Sequence, residues 1–520
     1  MALMAVLSGP PIGLQARAAD APHPPAGRAC TDLMAAQVGT DVGAPTAVSS
    51  AEEKELEGAR YCVIEGTIAP AIRFEARLPV QGWTGRYLQT GCGGLCGTLA
   101  IRVEHAESCV PIRDHAVVLA STDMGPEGMG GDWAVRNPAT RADFGHRGVH
   151  LTAVAVKALI RAYYGRPARH AYFAGCSDGG REALIEAQRY PQDFDGIAAG
   201  APALNFTVQN SFYHAWNAVS NSAADGRAIV TSAQLPRLHA AVLARCDALD
   251  GTADGVIEDP RACHFDPATL ACSAGQSPDQ CLTDAQVEAV RKIYQGARDA
   301  QGRRLVLGGP MPGSELAWEG VFVPRPGTEA IFSKVIVEGS VPALYYDTPL
   351  AKGWSVADLP FDKTTLDSFR LRGLYDATDP DLSGYERRGG KLLMWHGWSD
   401  PHISPLNSIA YYDAVVDRMG RQRTQALARL FLVPGLYHCS GGEGATEFDV
   451  IGALMDWVER HKAPTAIDVH GGGTHRPVYA YPDGAKRTAQ GEWRRAEGAL
   501  AAPPVEWLGA GFFRPGYELD

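Results

Sequence analysis

Short apolar runs alternate with amphipathic helical stretches toward both ends of this chain, and that alternation limits the fold more than any other feature. Ile72, Phe74, Ala76 and Leu78 alternate with Arg73, Glu75 and Arg77, the period of a half-buried strand. Residues 117–120, 171–174, 392–395 and 430–433 are apolar throughout, as strands buried on both faces are. Between the runs, Leu151, Val154, Ala155, Ala158, Leu159 and Ala162 follow i, i+3, i+4 spacing, and further helical stretches cover 181–190 and 455–460. The pattern predicts an α/β fold, a mostly parallel sheet with helices on both faces. Residues 205–388 break the rhythm. They are rich in proline, glycine and cysteine, offer few clean strand signals, and are expected to form an inserted domain that splits the α/β domain into 19–204 and 389–520.

The chain has 520 residues, of which 45% are apolar and 21% charged, an ordinary globular composition. Lys and Arg number 48 against 59 Asp and Glu, a net charge of −11, which speaks against a nucleic-acid groove or an anionic membrane surface as partner. No apolar run reaches the roughly 18 residues needed to cross a bilayer. Residues 1–18 are expected to be an export signal with a shortened start. A short apolar run ends at Leu7 and Ala16-Arg17-Ala18 has the small-x-small form of a cleavage site, although the usual basic start is missing. Eleven cysteines favour an oxidising location, secreted or periplasmic.

The chemistry centres on Gly175-Cys176-Ser177-Asp178-Gly179. Glycines on either side of a serine suit a sharp strand-to-helix turn that lifts the hydroxyl out at the strand's end, and here an apolar strand precedes it and a helix follows. The start of that helix also favours negative charge, as on a reacting carbonyl oxygen. A hydroxyl needs a base and the base an orienting acid. Asp400 follows the strand 392–395 through His396-Gly397-Trp398-Ser399, and His438 follows the strand 430–433. Both belong where loops gather beyond the C-terminal edge of the sheet. If Ser177 and His438 meet, their neighbours Cys176 and Cys439 come within disulfide reach; the alternative is two buried free thiols.

A second cluster runs from Cys246 to Asp259. Asp247, Asp250 and Asp254 are separated by glycines that let the backbone turn inward, a set suited to a hard cation such as Ca2+, with a solvated acidic turn as the bland alternative. The spacing is not that of an EF-hand. Cys92 and Cys96 lack the partners of a zinc site.

Six stretches taken together resemble the tannase/feruloyl esterase family of α/β-hydrolases: Gly91-Cys92-Gly93-Gly94, 121–125, Gly175 to Glu182, 190–196 with 200–203, 396–401, and Pro434 to Cys439. The resemblance covers nearly all of the chain beyond the leader. It implies an α/β-hydrolase fold with 205–388 as its lid, Ser177, Asp400 and His438 as a triad, and Cys176 bridged to Cys439. The backbone N–H groups of Gly93 and Asp178 become the oxyanion hole. A structural calcium is implied on the side chains of Asp247, Asp250 and Asp254 with carbonyls of Thr252 and Val256, and no organic cofactor. Further bridges are implied for Cys30–Cys62, Cys246–Cys263 and Cys272–Cys281. Of the remaining Cys92, Cys96 and Cys109, one pair is expected to bridge, with Cys96–Cys109 the pairing considered. Family members often carry another disulfide near the C-terminus. No cysteine follows Cys439 here, so that segment is expected to be held by packing alone.

The implied activity is hydrolysis of small-molecule esters of aromatic acids such as ferulate, gallate or related hydroxybenzoates; a relative within the family cleaves mono(2-hydroxyethyl) terephthalate, and a lipase-type esterase is the other alternative. Candidate pocket residues are Leu204, His396, His402 and Ile403, with Trp318, Trp354, Phe369 and Arg370 as lid residues that could instead be plain core or surface. An acidic Asp178 beside the serine argues for neutral substrates. Oligomeric state is left open.

Overall fold

Strands buried on both faces need apolar side chains at every position, and the apolar runs of this chain form the middle of one nine-stranded sheet. The computed structural model describes residues 28–513 apart from 129, 278 and 352, so the expected leader at 1–18 lies outside the described residues. The strands are β1 (Thr46–Leu56), β2 (Ala59–Ile68), β3 (Ile72–Pro79), β4 (Arg86–Thr90), β5 (Val117–Thr122), β6 (His170–Cys176), β7 (Gly196–Gly200), β8 (Lys391–Gly397) and β9 (Ala428–Val433). Their order across the sheet is β1-β2-β3-β5-β4-β6-β7-β8-β9. The six from β5 to β9 run parallel, while β1, β2 and β3 join antiparallel at one side.

Successive side chains of a strand point to opposite faces, so each central strand feeds two cores. Tyr87, Val118, Phe173 and Leu392 belong to one, Leu88, Val117, Tyr172 and Leu393 to the other. On the first face pack α1 (Gly148–Tyr164) and α2 (Asp178–Arg189), through residues such as Leu151, Ala155 and Leu184.

Between β7 and β8 lies the long insert. It carries α3 (Leu235–Cys246), α4 (Asp284–Gln295) and α5 (Phe332–Leu344). Only its middle has a core of its own, made by Leu235, Leu238, Val290, Ile293, Trp318 and Phe322. Phe206, Phe212, Ile336, Leu344, Phe369 and Tyr375 join the main core instead, so the two ends of the insert are built into the α/β domain rather than resting on it.

After β8 come α6 (Leu406–Met419) and, beyond β9, α7 (Val450–Arg460), whose Leu454 and Met455 cover the second face. Two hairpins follow, β10 (Ala466–Gly471) with β11 (Thr474–Tyr479) and β12 (Gly484–Arg487) with β13 (Trp493–Ala496). Packing alone does not hold this segment. Tyr481 N–H donates to Leu430 C=O at 2.8 Å, Ala485 N–H donates to Glu258 Oε1 at 2.9 Å, and Arg476 pairs with the other oxygen of Glu258.

Candidate active site

In a parallel sheet the loops after each strand collect at one edge, and four of them meet here. Ser177 follows β6, the loop 91–94 follows β4, Asp400 follows β8 and His438 follows β9. Ser177 has φ +64° and ψ −120°, a strained backbone for a residue with a side chain, at the start of α2. The flanking glycines make the turn possible by close approach. A Cβ on Gly175 would stand 2.5 Å from the Gly179 carbonyl carbon, and one on Gly179 would stand 3.0 Å from the Cys92 carbonyl oxygen. The 91–94 loop therefore lies directly against the start of α2.

Asp400 is fully buried and accepts four hydrogen bonds. His438 Nδ1 donates to Oδ2 at 2.7 Å and His396 Nε2 reaches the same oxygen at 3.2 Å, while the N–H groups of His402 and Ile403 donate to Oδ1 at 2.8 and 3.0 Å. Burial alone would raise its pKa. The charge of His438 and the hydrogen bonds from His396 and His438 outweigh it and hold the carboxyl well below the usual range, so Asp400 is an anion facing His438. Beyond His438, the Cys176–Cys439 disulfide sets the Cα atoms of those two cysteines 5.8 Å apart and binds the serine turn to the histidine turn.

Ser177, His438 and Gly93 line a cavity of about 390 Å³, whose walls include Trp395, Val450, Ile451, Phe332 and His402, with Arg102 and Glu104 at its rim. On the lid side of Ser177 a further pocket of about 20 Å³ has room for one water-sized group. Asn210, His214, Ile336, Phe332, His402 and Ile403 surround it. His402 lies tilted by 32° against His438 with ring centres 4.6 Å apart and meets the Phe332 ring edge-on at 4.7 Å. Burial, with the His438 charge adding to it, pushes the His402 pKa well below its ordinary value, so this second imidazole is neutral.

Several expected pocket residues lie elsewhere. Leu204 is fully buried in the main core, where its carbonyl accepts from Ala377 N–H at 2.7 Å. His396 is buried behind Asp400, with Ser408 Oγ 2.8 Å from Nδ1 and the Ile403 carbonyl 3.0 Å from Nε2. Trp318 belongs to the insert's own core, Trp354 and Phe369 pack on the main one, and Arg370 is exposed. Phe332, Asn210, His214 and Ile336 take the places at the pocket; nothing local in their sequence marks them. The charge argument from Asp178 also fails. Arg181 donates to both of its oxygens, at 2.6 and 2.9 Å, and both side chains are buried, so Asp178 is not an unpaired anion facing the cavity.

Of the expected amide donors, Gly93 lines the cavity with Ser177 and Asp178 lines the small pocket with it, and no hydrogen bond from either N–H to another protein group occurs among the described residues. Beneath them Glu182 accepts from Cys92 N–H at 3.3 Å; burial, then the neighbouring Asp178, pushes its carboxyl well above the usual range.

Five disulfides are present: Cys30–Cys62, Cys92–Cys96, Cys176–Cys439, Cys246–Cys263 and Cys272–Cys281. The Cys96–Cys109 pairing does not occur. Cys96 belongs to the core on one face of the sheet and Cys109 to that on the other, against Met455, where burial raises its thiol to about 12.

In the acidic loop, Asp247 accepts from Asp254 N–H at 3.2 Å and Gly255 N–H at 3.0 Å, and Asp250 from Thr252 N–H at 2.7 Å, so the chain curls around its own carboxylates. Burial raises the Asp250 pKa to about 6, and Glu258 and Asp254 push the same way. The Thr252 hydroxyl is buried without a partner. The donor types suit a hard cation, but among the described residues the three carboxylates do not converge on one point as the loop stands.

A model of the family described as tannase and feruloyl esterase matches residues 57–501. An uncharacterised esterase of Xanthomonas campestris pv. campestris is 33% identical, the match covering 91% of each chain. The mono(2-hydroxyethyl) terephthalate hydrolase of Piscinibacter sakaiensis is 31% identical over 89% of this chain and 87% of that one. The crystal structure of feruloyl esterase B from Aspergillus oryzae superposes with a TM-score of 0.75 at 26% identity, covering 87% of this chain and 97% of that one. With this fold, this match over most of its length and these relatives, the chain belongs to the tannase and feruloyl esterase family and is a carboxylic ester hydrolase.

Proposed function

We propose that the protein is an exported serine esterase acting on esters of aromatic acids through Ser177, His438 and Asp400. The observation that carries the reading is the 2.7 Å bond from His438 Nδ1 to a buried, ionised Asp400, in a loop fastened by a disulfide to the turn bearing Ser177. With its Nδ1 proton committed to Asp400, His438 presents Nε2 to the cavity as a base. Ser177 gives its proton to that nitrogen and attacks the ester carbonyl, and the N–H groups of Gly93 and Asp178 hold the oxyanion. His438 then protonates the departing alcohol, leaving an acyl-serine. Water enters, His438 takes its proton, and the acid leaves.

Aromatic walls at Phe332 and Trp395 and the neutral His402 suit a flat acyl group that carries a polar substituent. A lipase would need a broad apolar entrance, whereas the rim here holds Arg102 and Glu104. Arg102 is also a cation that an acidic acyl group could meet, which keeps mono(2-hydroxyethyl) terephthalate among the substrates to be tried.

Asp247, Asp250 and Asp254, with the carbonyls of Thr252 and Val256, are the residues that would hold a structural calcium. Bound there, the ion would draw the three carboxylates together, neutralise them and brace the loop against the C-terminal hairpins. Five disulfides support an oxidising compartment outside the cytoplasm.

The test is turnover by the purified protein of methyl ferulate, methyl gallate, chlorogenate, mono(2-hydroxyethyl) terephthalate and tributyrin. Preference for one or more of the aromatic esters is expected; tributyrin turned over faster than all four would sink the reading.

A further inference from the structure

The backbone immediately after His438 is held in an unfavourable shape. Cys439 has φ +65°, and Ser440 N–H donates back to His438 C=O at 2.8 Å, the three-residue pattern of a γ-turn of the strained hand. Such a conformation is unfavourable and persists only where the surroundings over-determine it. One tie is the disulfide from Cys439 to Cys176. The second comes from far away in the sequence. His105 Nε2 lies 2.7 Å from the Cys439 carbonyl oxygen, and because a carbonyl only accepts, the proton sits on Nε2.

His105 is itself firmly seated. Its ring stacks on Phe448 at 3.8 Å and 9° and meets Trp395 edge-on at 4.5 Å. Its own carbonyl accepts from Val450 N–H at 3.0 Å at the start of α7. It is 6% exposed, and Nδ1 is buried without a partner. Burial lowers its pKa to about 4, so it is neutral under ordinary conditions, as a one-donor tie requires. Of the groups it touches, Trp395, Cys439 and Val450 line the cavity, while Phe448 and His105 itself do not.

We infer that His105 is a positioning residue: by donating Nε2–H to the Cys439 carbonyl it holds the strained turn after His438, and thereby the aim of the imidazole at Ser177, without touching substrate. The inference rests on the proposed Ser177–His438–Asp400 relay. The sequence gives no hint of it, because His105 sits in a loop more than 300 residues from the turn it holds.

Three variants separate the hydrogen bond from the packing. His105→Gln places an amide N–H near the Nε2 position, His105→Asn is too short to reach, and His105→Phe keeps the ring between Phe448 and Trp395 but has no donor. With methyl ferulate or another ester that the wild type turns over, kcat is expected to fall roughly ten- to a hundred-fold in Phe and Asn while KM stays within about two-fold, since a misaimed group costs rate and not binding. His105→Gln is expected to recover most of the rate. Wild-type kcat in both Phe and Asn, or an equal loss in Gln, overturns the inference; if Phe fails to fold, the comparison of Gln with Asn decides. Ser177→Ala is run beside them. Activity surviving in that variant overturns the relay itself, whereas an inactive Ser177→Ala beside a fully active His105→Phe removes only the role of His105.

Discussion

Cys176 and Cys439, 263 residues apart in the chain, share a disulfide, and each is the immediate neighbour of a side chain in the proposed relay. The bond therefore does two things. It restricts the unfolded chain by closing a very long loop, and it fixes the distance between two turns that leave different strands.

Replacing both cysteines by serine is expected to lower stability by about 2–5 kcal/mol and to reduce kcat more than it raises KM. Urea unfolding followed by steady-state kinetics on the fraction still folded measures the two effects separately. Unchanged kcat would show that packing, including the His105 tie, aligns the turns unaided.

Asp400→Asn keeps the size of the side chain but offers His438 a neutral partner and favours the wrong tautomer. The expected loss in kcat is about 10⁴-fold with little change in KM. Kinetics on the aromatic ester of choice, with circular dichroism to verify the fold, checks it.

A buried ion network joins the insert to the loop that carries His438. His239, on α3, has Nδ1 2.7 Å from Glu315 Oε2, and its Nε2 lies 3.1 Å from Glu443 Oε2, five residues beyond His438. Burial opposes the charge on His239, but hydrogen bonds and charge from Glu315 and Glu443 outweigh it and raise its pKa to about 9. With the folded value above the unfolded one of about 6.5, this contribution to stability is complete below pH 6.5 and is lost as the pH rises through 9. The thermal midpoint should accordingly fall more between pH 7 and pH 10 in the wild type than in His239→Gln. Parallel slopes for the two proteins would contradict the assignment.

If Asp247, Asp250 and Asp254 hold calcium, EDTA should lower the thermal midpoint, and added Ca2+ should restore it in proportion to the logarithm of its concentration above Kd. Asp247→Asn should blunt both responses. Differential scanning calorimetry of untreated, stripped and reloaded protein gives the answer, and a midpoint indifferent to EDTA refutes the site.

The sequence announces those parts of this molecule whose chemistry is local. A serine between glycines at the end of an apolar strand fixes the bend at Ser177, and Asp400 and His438 each follow a run that is buried on both faces. The antiparallel strands β1 and β2 are less legible, because their outer positions carry Ser49, Glu52, Glu53 and Glu55 at the sheet's edge. Their only plain signal is Glu57-Gly58, where both residues have positive φ and make a two-residue hairpin turn. The pocket wall is legible only where it adjoins Asp400 in sequence, at His402 and Ile403. Asn210, His214 and Phe332 reach Ser177 only because both ends of the insert are folded into the main core, a consequence of packing over more than a hundred residues. Cys92–Cys96 escaped for a related reason: choosing among three nearby cysteines requires knowing which face of the sheet each one occupies.

The division of labour across the insert has a further consequence. Every group proposed to move a proton leaves the sheet itself, whereas the chain between β7 and β8 supplies Phe332 to the cavity and most of the wall of the small pocket beside Ser177. Mutations at Asn210, His214, Phe332 or Ile336 can therefore alter which esters are admitted while the cutting apparatus is inherited intact. Diversification of substrate range within such a scaffold needs only drift along one wall.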